Sequence, residues 1–144
     1  MKLLILLPNI QLNLLEKVTG DREVKVIKSH HFSAILPVNK TVFNWQKTDF
    51  IEVLKNAADT AELTVIGEVS FAFQPQGVSA VILLAESHIA LHFWPEESKV
   101  TIDIHICDYQ KDNLQKAQFL TQIITQEFSN CEYLKNWHYL SVSG

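Results

Sequence analysis

The sequence predicts an α+β fold: a two-layer sandwich in which two helices cover one face of a mainly antiparallel sheet. Three observations predict it. Many segments alternate apolar and polar residues or form short apolar runs, as strands do. Most connections between them are too short for the crossover that parallel neighbours require. Two stretches carry apolar residues at helical spacing and can cover such a sheet. The chain has 144 residues, 47% hydrophobic and 19% charged, which suits a single domain over 1–144. A domain near this size buries roughly 68–70% of its unfolded surface. No internal linker, low-complexity segment or repeat divides it.

The elements follow in order. Leu3–Leu7 is a short apolar run and reads as a buried strand, and Glu23–Ile27 alternates as a half-buried one. His31–Leu36 is a third strand, ended by Pro37. Residues 47–60 read as a helix capped by Thr48 or Asp49, with Phe50, Val53, Leu54, Ala57 and Ala58 on one stripe. Strands are then expected over Glu62–Ile66, Val69–Phe73, Val78–Ala85 and Ser87–Trp94. After a turn over Pro95–Ser98 comes Lys99–Cys107, where Val100, Ile102, Ile104 and Ile106 alternate with Thr101, Asp103, His105 and Cys107. Residues 112–128 read as the second helix, with Leu114, Ala117, Leu120, Ile124 and Phe128 on one face, and Glu132–Leu140 closes as a strand. The uncovered sheet face needs a partner, and a dimer fits that need.

Composition narrows the function classes. A formal net charge of -4 with no Lys/Arg cluster argues against nucleic acid. No stretch approaches the roughly 18 apolar residues that span a bilayer. The apolar start is short for a signal peptide and is interrupted by Pro8, Asn9 and Gln11. Cys107 and Cys131 read as free thiols. A soluble, cytoplasmic protein is expected. His88, His92, His105 and Cys107 fit no zinc spacing; on a strand, His88 and His92 stand about 13 Å apart. No metal is expected, and neither a nucleophile elbow nor a phosphate loop is present.

The distinctive stretch is Phe73-Gln74-Pro75-Gln76-Gly77-Val78-Ser79, followed by Leu84-Ala85-Glu86-Ser87-His88-Ile89-Ala90-Leu91-His92-Phe93-Trp94-Pro95-Glu96 and then Cys107. Each part alone has an ordinary explanation: Gln-Gly is a turn, and a histidine on a strand or a cysteine at its end is usually packing. Together they resemble the prokaryotic S-adenosylmethionine decarboxylases, in which Pro-Gln-Gly-Val-Ser, Glu-Ser-His, a histidine, Trp-Pro-Glu and a cysteine occur in this order and spacing. The similarity runs over roughly residues 31–140, and its central part is specific.

That resemblance implies a zymogen that cuts itself between Glu86 and Ser87 into a β chain, 1–86, and an α chain, 87–144. The Ser87 hydroxyl attacks the Glu86 carbonyl and turns the amide into an ester. Elimination leaves dehydroalanine, which hydrolyses to a pyruvoyl group and ammonia. Serine needs help as a nucleophile, and the family assigns processing roles that map onto His92 and Ser79. A regular strand puts Ser87 and His92 on opposite faces, so a bulge or a strained start near Ser87 is expected. The pyruvoyl cofactor would form a Schiff base with the substrate amine and act as an electron sink. Cys107 matches the proton donor, and a thiol with a reference pKa of about 8.5 can act as a general acid at neutral pH. Phe73 matches an aromatic that stacks on adenine, and Glu96 a carboxylate that accepts hydrogen bonds from ribose. The implied reaction converts S-adenosylmethionine to the aminopropyl donor of polyamine (spermidine) biosynthesis, in a homodimer with active sites near its interface.

The chain departs from the family pattern in three places. Glu97-Ser98-Lys99 follows Trp-Pro-Glu where a Tyr-Gly-Tyr type turn is usual, Phe93 replaces a common threonine, and Ala34-Ile35-Leu36-Pro37-Val38 replaces the usual end of the first strand. These lie near the substrate, so a pyruvoyl-dependent decarboxylase of arginine or ornithine is the alternative. A non-catalytic binding or regulatory homologue is a third reading, opposed by the joint presence of Ser79, Ser87, His92 and Cys107.

Overall fold

The structure is a computed structural model and describes residues 25–144. The expected strand at Leu3–Leu7 lies outside the described residues, as does the start of the one at Glu23–Ile27. Of the latter, Ile27 exchanges two backbone hydrogen bonds with Gly144, at 2.9 and 3.0 Å.

Six strands form one sheet: β1 Lys28–Pro37, β2 Val65–Ala72, β3 Val78–Leu84, β4 Ser87–Trp94, β5 Lys99–Asp108 and β6 His138–Ser143. Their order is β2-β3-β4-β5-β1-β6, and every neighbouring pair is antiparallel. Helices α1, Lys47–Thr60, and α2, Leu114–Phe128, provide the second layer. The α+β sandwich expected from the sequence is the observed architecture.

The core lies between the helices and one sheet face. Val78, Ala80, Ile82 and Leu84 of β3 meet Ile89, Leu91 and Phe93 of β4 and Val100, Ile102, Ile104 and Ile106 of β5, all buried. Phe50, Leu54, Leu120, Ile124 and Phe128 descend on them from the helices. Each such aliphatic or aromatic side chain contributes about 1.5–3 kcal/mol by leaving water. Phe50 packs against Phe93 at 5.4 Å and Phe128 at 6.0 Å between ring centroids, joining sheet and both helices.

Several boundaries differ from expectation. The cap of α1 is Gln46, not Thr48 or Asp49; Asp49 instead accepts a hydrogen bond from the Gln46 N–H at 2.7 Å, the return half of a capping box. The two strands expected at Glu62–Ile66 and Val69–Phe73 are one strand, β2, continued through a register shift between Val65 and Gly67. Glu62 is instead in the left-handed turn that ends α1, with φ 58°. Helix α2 starts two residues later than expected: Asp112 precedes it and caps the Leu114 N–H at 2.8 Å. The closing segment begins as a 3-10 helix over Cys131–Asn136, and β6 follows it.

Among the described residues no element covers the other sheet face. Ile35, Val69, Phe71, Leu83, Trp94, Leu140 and Val142 stand there, from 47% to 66% exposed. No described helix is long and apolar enough to cross a membrane.

Candidate active site

The residues singled out in the sequence fall into two groups at opposite ends of the β3–β4 hairpin. The first surrounds the turn that joins the two strands. Ser87 opens β4 with φ 145°, a backbone conformation that side chains other than glycine's rarely adopt. This is the strained start that the odd spacing to His92 called for. The Glu86 carbonyl oxygen accepts a hydrogen bond from the Cys107 N–H at 2.8 Å. The Glu86 carboxylate accepts two more from Thr64, at 3.0 Å from its N–H and 3.2 Å from its hydroxyl. The carbonyl of the peptide between Glu86 and Ser87 is therefore held by β5, and the Glu86 side chain by the residue that precedes β2.

Histidines line this end. In the cross-strand register, His88 of β4 pairs with His105 of β5, which pairs with His31 of β1, so three imidazoles share one row. Ser87 Oγ lies 3.3 Å from His88 Nδ1, and Cys107 Sγ lies 3.6 Å from His105 Nε2. Burial, reinforced by His31 and His88, pushes the His105 pKa below the ordinary histidine value. Behind Cys107, Asn113 donates to its carbonyl oxygen at 2.9 Å and ties β5 to the start of α2.

The second group sits at the far end of the hairpin. Ser79 pairs with His92 across β3 and β4, and Ser79 Oγ lies 2.6 Å from His92 Nδ1. Both line a cavity of about 260 Å³ together with Phe73, Gln76, Phe93, Trp94 and Glu96. Gly77, at φ 104°, makes the turn that brings Phe73 over this cavity; a Cβ there would stand 3.3 Å from the Phe93 carbonyl oxygen. Glu96 accepts a hydrogen bond from the Gln76 amide at 3.4 Å.

His92 lies five residues along β4 from Ser87, about 16 Å at 3.3 Å per residue. One chain thus brings Ser87, Glu86 and Cys107 together, and Ser79, His92, Phe73 and Glu96 together, but does not join the groups. The sequence reading did not single out Thr64 or His31 and gave His105 no role beside Cys107. Alternation on β5 already placed His105 and Cys107 on one face; the contacts from Thr64 and His31 cross strands and leave no local pattern. Of the histidines and acids elsewhere, His30 Nε2 donates to the Asp108 carboxylate at 3.0 Å, and its Nδ1 shares a hydrogen bond with the Tyr139 hydroxyl at 2.8 Å. Asp108 and Asp112 are in turn engaged by the first N–H groups of α2, whose positive end disfavours a cation.

Comparison with known proteins gives a consistent picture. The sequence profile described as S-adenosylmethionine decarboxylase matches residues 39–136. An S-adenosylmethionine decarboxylase proenzyme of Aquifex aeolicus (strain VF5) is 41% identical over 78 residues, covering 54% of this chain and 56% of that one. The proenzyme of Hydrogenobaculum sp. (strain Y04AAS1) is 36% identical over 83 residues, covering 58% and 61%. The matched region thus spans little more than half the length of these curated relatives. The crystal structure of the adenosylmethionine decarboxylase from Aquifex aeolicus VF5 superimposes with a TM-score of 0.61 at 27% identity, covering 83% of this chain and 91% of that chain. With the profile matched over well more than half of its length, this chain belongs to the S-adenosylmethionine decarboxylase family.

Proposed function

We propose that this chain is a proenzyme that cuts itself between Glu86 and Ser87, giving 1–86 and 87–144, and becomes a pyruvoyl-dependent decarboxylase of S-adenosylmethionine. The Glu86–Ser87 peptide carries this reading. It combines a hydroxyl nucleophile in a strained backbone, φ 145°, with a carbonyl oxygen already held by the Cys107 N–H at 2.8 Å. That N–H is aimed where negative charge develops when the Ser87 oxygen adds to the carbonyl carbon. Collapse of the adduct breaks the C–N bond and leaves an ester. Loss of the Ser87 α-proton then expels the Glu86 carboxylate, and water converts the remaining dehydroalanine to pyruvoyl and ammonia.

The residues around position 87 fit such a group: it arises from the chain's own serine, next to the thiol assigned as acid. In place, it supplies an electron sink for decarboxylation. Cys107 gives a proton to the substrate carbon that has lost carbon dioxide. Phe73 offers its face to the adenine and the sulfonium, an attraction of roughly 0.5–2 kcal/mol, and Glu96, steadied by Gln76, accepts the ribose hydroxyls. The product is the aminopropyl donor for spermidine synthesis, made in the cytoplasm.

Ser79 and His92 assist cleavage across a homodimer. The apolar open face is suited to a second copy, and a two-fold axis near Ala90, midway between Ser87 and His92, would set the Ser79–His92 pair of one protomer against Ser87 of its partner. Each active site then takes its cleavage centre and acid from one chain and its base and adenosyl pocket from the other.

Intact mass under denaturing conditions tests the first step: fragments 1–86 and 87–144, the latter beginning with pyruvoyl, are expected, and one persistent uncut mass would sink the proposal. Labelled carbon dioxide is expected from S-adenosylmethionine. Release only from arginine or ornithine would remove the assigned substrate while keeping the cofactor.

A further inference from the structure

On the open face His105 is the middle ring of three. It stacks on His31 with 4.0 Å between centroids and meets His88 edge-on at 5.2 Å. Each outer ring has a hydroxyl beside it: His31 Nε2 lies 3.1 Å from Ser29 Oγ and His88 Nδ1 lies 3.3 Å from Ser87 Oγ. The middle ring directs its Nε2 at the Cys107 sulfur, 3.6 Å away. Two residues apart on one strand, His105 and Cys107 share a face by the strand's own period. We propose that His105 is a positioning residue that orients the Cys107 thiol and returns a proton to it after each turnover. This rests on the reading of Cys107 as the proton donor given above.

The charge state follows from the neighbours. His31 faces His105 from β1 and His88 from β4, and Ser29 stands beside His31; Asp103 on β5 and His138 on β6 line the same cavity. Three imidazoles this close resist carrying charge together, and partial burial adds to the cost of charging the middle one. A neutral His105 accepts the thiol hydrogen at Nε2, which keeps Cys107 an acid instead of an imidazolium–thiolate pair. In turnover the S–H bond breaks as the C–H bond forms, and the electron pair stays on sulfur. The new thiolate then favours a protonated neighbour. His105 takes a proton from solvent, passes it to sulfur and returns to the neutral ring. One solvent proton is consumed for each carbon dioxide released.

The test compares the wild type with His105→Gln, which can hold the thiol but carries no proton, and His105→Phe, which does neither. Two quantities are measured against pH: turnover, and alkylation of Cys107 by iodoacetamide, resolved from Cys131 by peptide mass spectrometry. In the wild type, alkylation is expected to rise in a single step at alkaline pH, because the resting ring is neutral and the sulfur keeps its proton. Turnover of both variants is expected to fall increasingly as pH rises from 6 to 8.5, reaching tenfold or more, because solvent alone must reload the thiol. A wild-type acid shoulder, the sign of a resting imidazolium–thiolate pair, overturns the inference, and this reading needs no variant to fold. Variants with wild-type pH profiles also overturn it. If the wild type releases no carbon dioxide from any substrate, the proposed decarboxylase fails, while the alkylation curve still decides whether Cys107 rests as a thiol beside His105.

Discussion

The two faces of the sheet are built from the same strands and do opposite work. On the helix-covered face, Ile82, Ile89, Leu91, Ile102 and Ile106 have no exposed surface at all. One residue along from each of these stands a residue of the other kind: Val81, Leu83, His88, Ala90, His92, Asp103 or Cys107, turned away from the helices. The period of two lets one alternation specify both a packed core and a second face that carries the histidines and Cys107. Neighbours in sequence should therefore respond to substitution in unrelated ways.

The largest contrast is expected at the turn. Ser87→Ala removes the nucleophile and should leave one uncut chain of about 16.5 kDa in intact-mass spectra, with circular dichroism unchanged. Next, His92→Ala should slow cleavage by about 10²–10⁴-fold. Co-expressed with Ser87→Ala it should regain cleavage, with only the His92→Ala chain cut; no rescue would break the shared site. Leu91→Ala, one residue before His92 on the covered face, should cost about 2–5 kcal/mol in urea unfolding. Leu83→Ala on the open face should cost a monomer less than about 1 kcal/mol, yet weaken self-association in sedimentation. Equal costs at both would mean that the faces are not so different. The smallest effect is in pH. His105 resists the proton that the unfolded chain takes up near pH 6.5. Stability should therefore fall as pH drops below that value, and His105→Phe should remove its share of the fall in urea midpoints between pH 7.5 and 5.5.

The central hairpin and β5 were legible because their alternation is long and regular, and helix 47–60 because its apolar stripe is. Legibility failed where a local signal had two meanings. The expected strands stopped at Ile66 and resumed at Val69, whereas the sheet carries one strand across this stretch through a register shift. Asp49 looked like a cap, whereas it is the return half of one centred on Gln46. In the site, the resemblance that Ser79, Ser87, His92 and Cys107 carry pointed to a chemistry but not to the division of these residues between two places. The distance from Ser87 to His92 follows from the strand already expected over Ser87–Trp94, whereas the grouping of Ser87 with Cys107 needs the register of β4 on β5. Thr64 holds Glu86 across 22 positions, a contact that no window of sequence contains.

The order of strands has one more consequence. A cut after Glu86 would sever β3 from β4 in sequence while leaving them paired at every position from Val78–Phe93 to Leu84–Ser87. The leading piece would own β1, β2, β3 and α1, yet β1 lies between β5 and β6 of the trailing piece. The two halves would be dovetailed like a joint in timber. Neither could slide free without tearing three ladders at once, so the mature molecule would remain one body after its backbone has been broken.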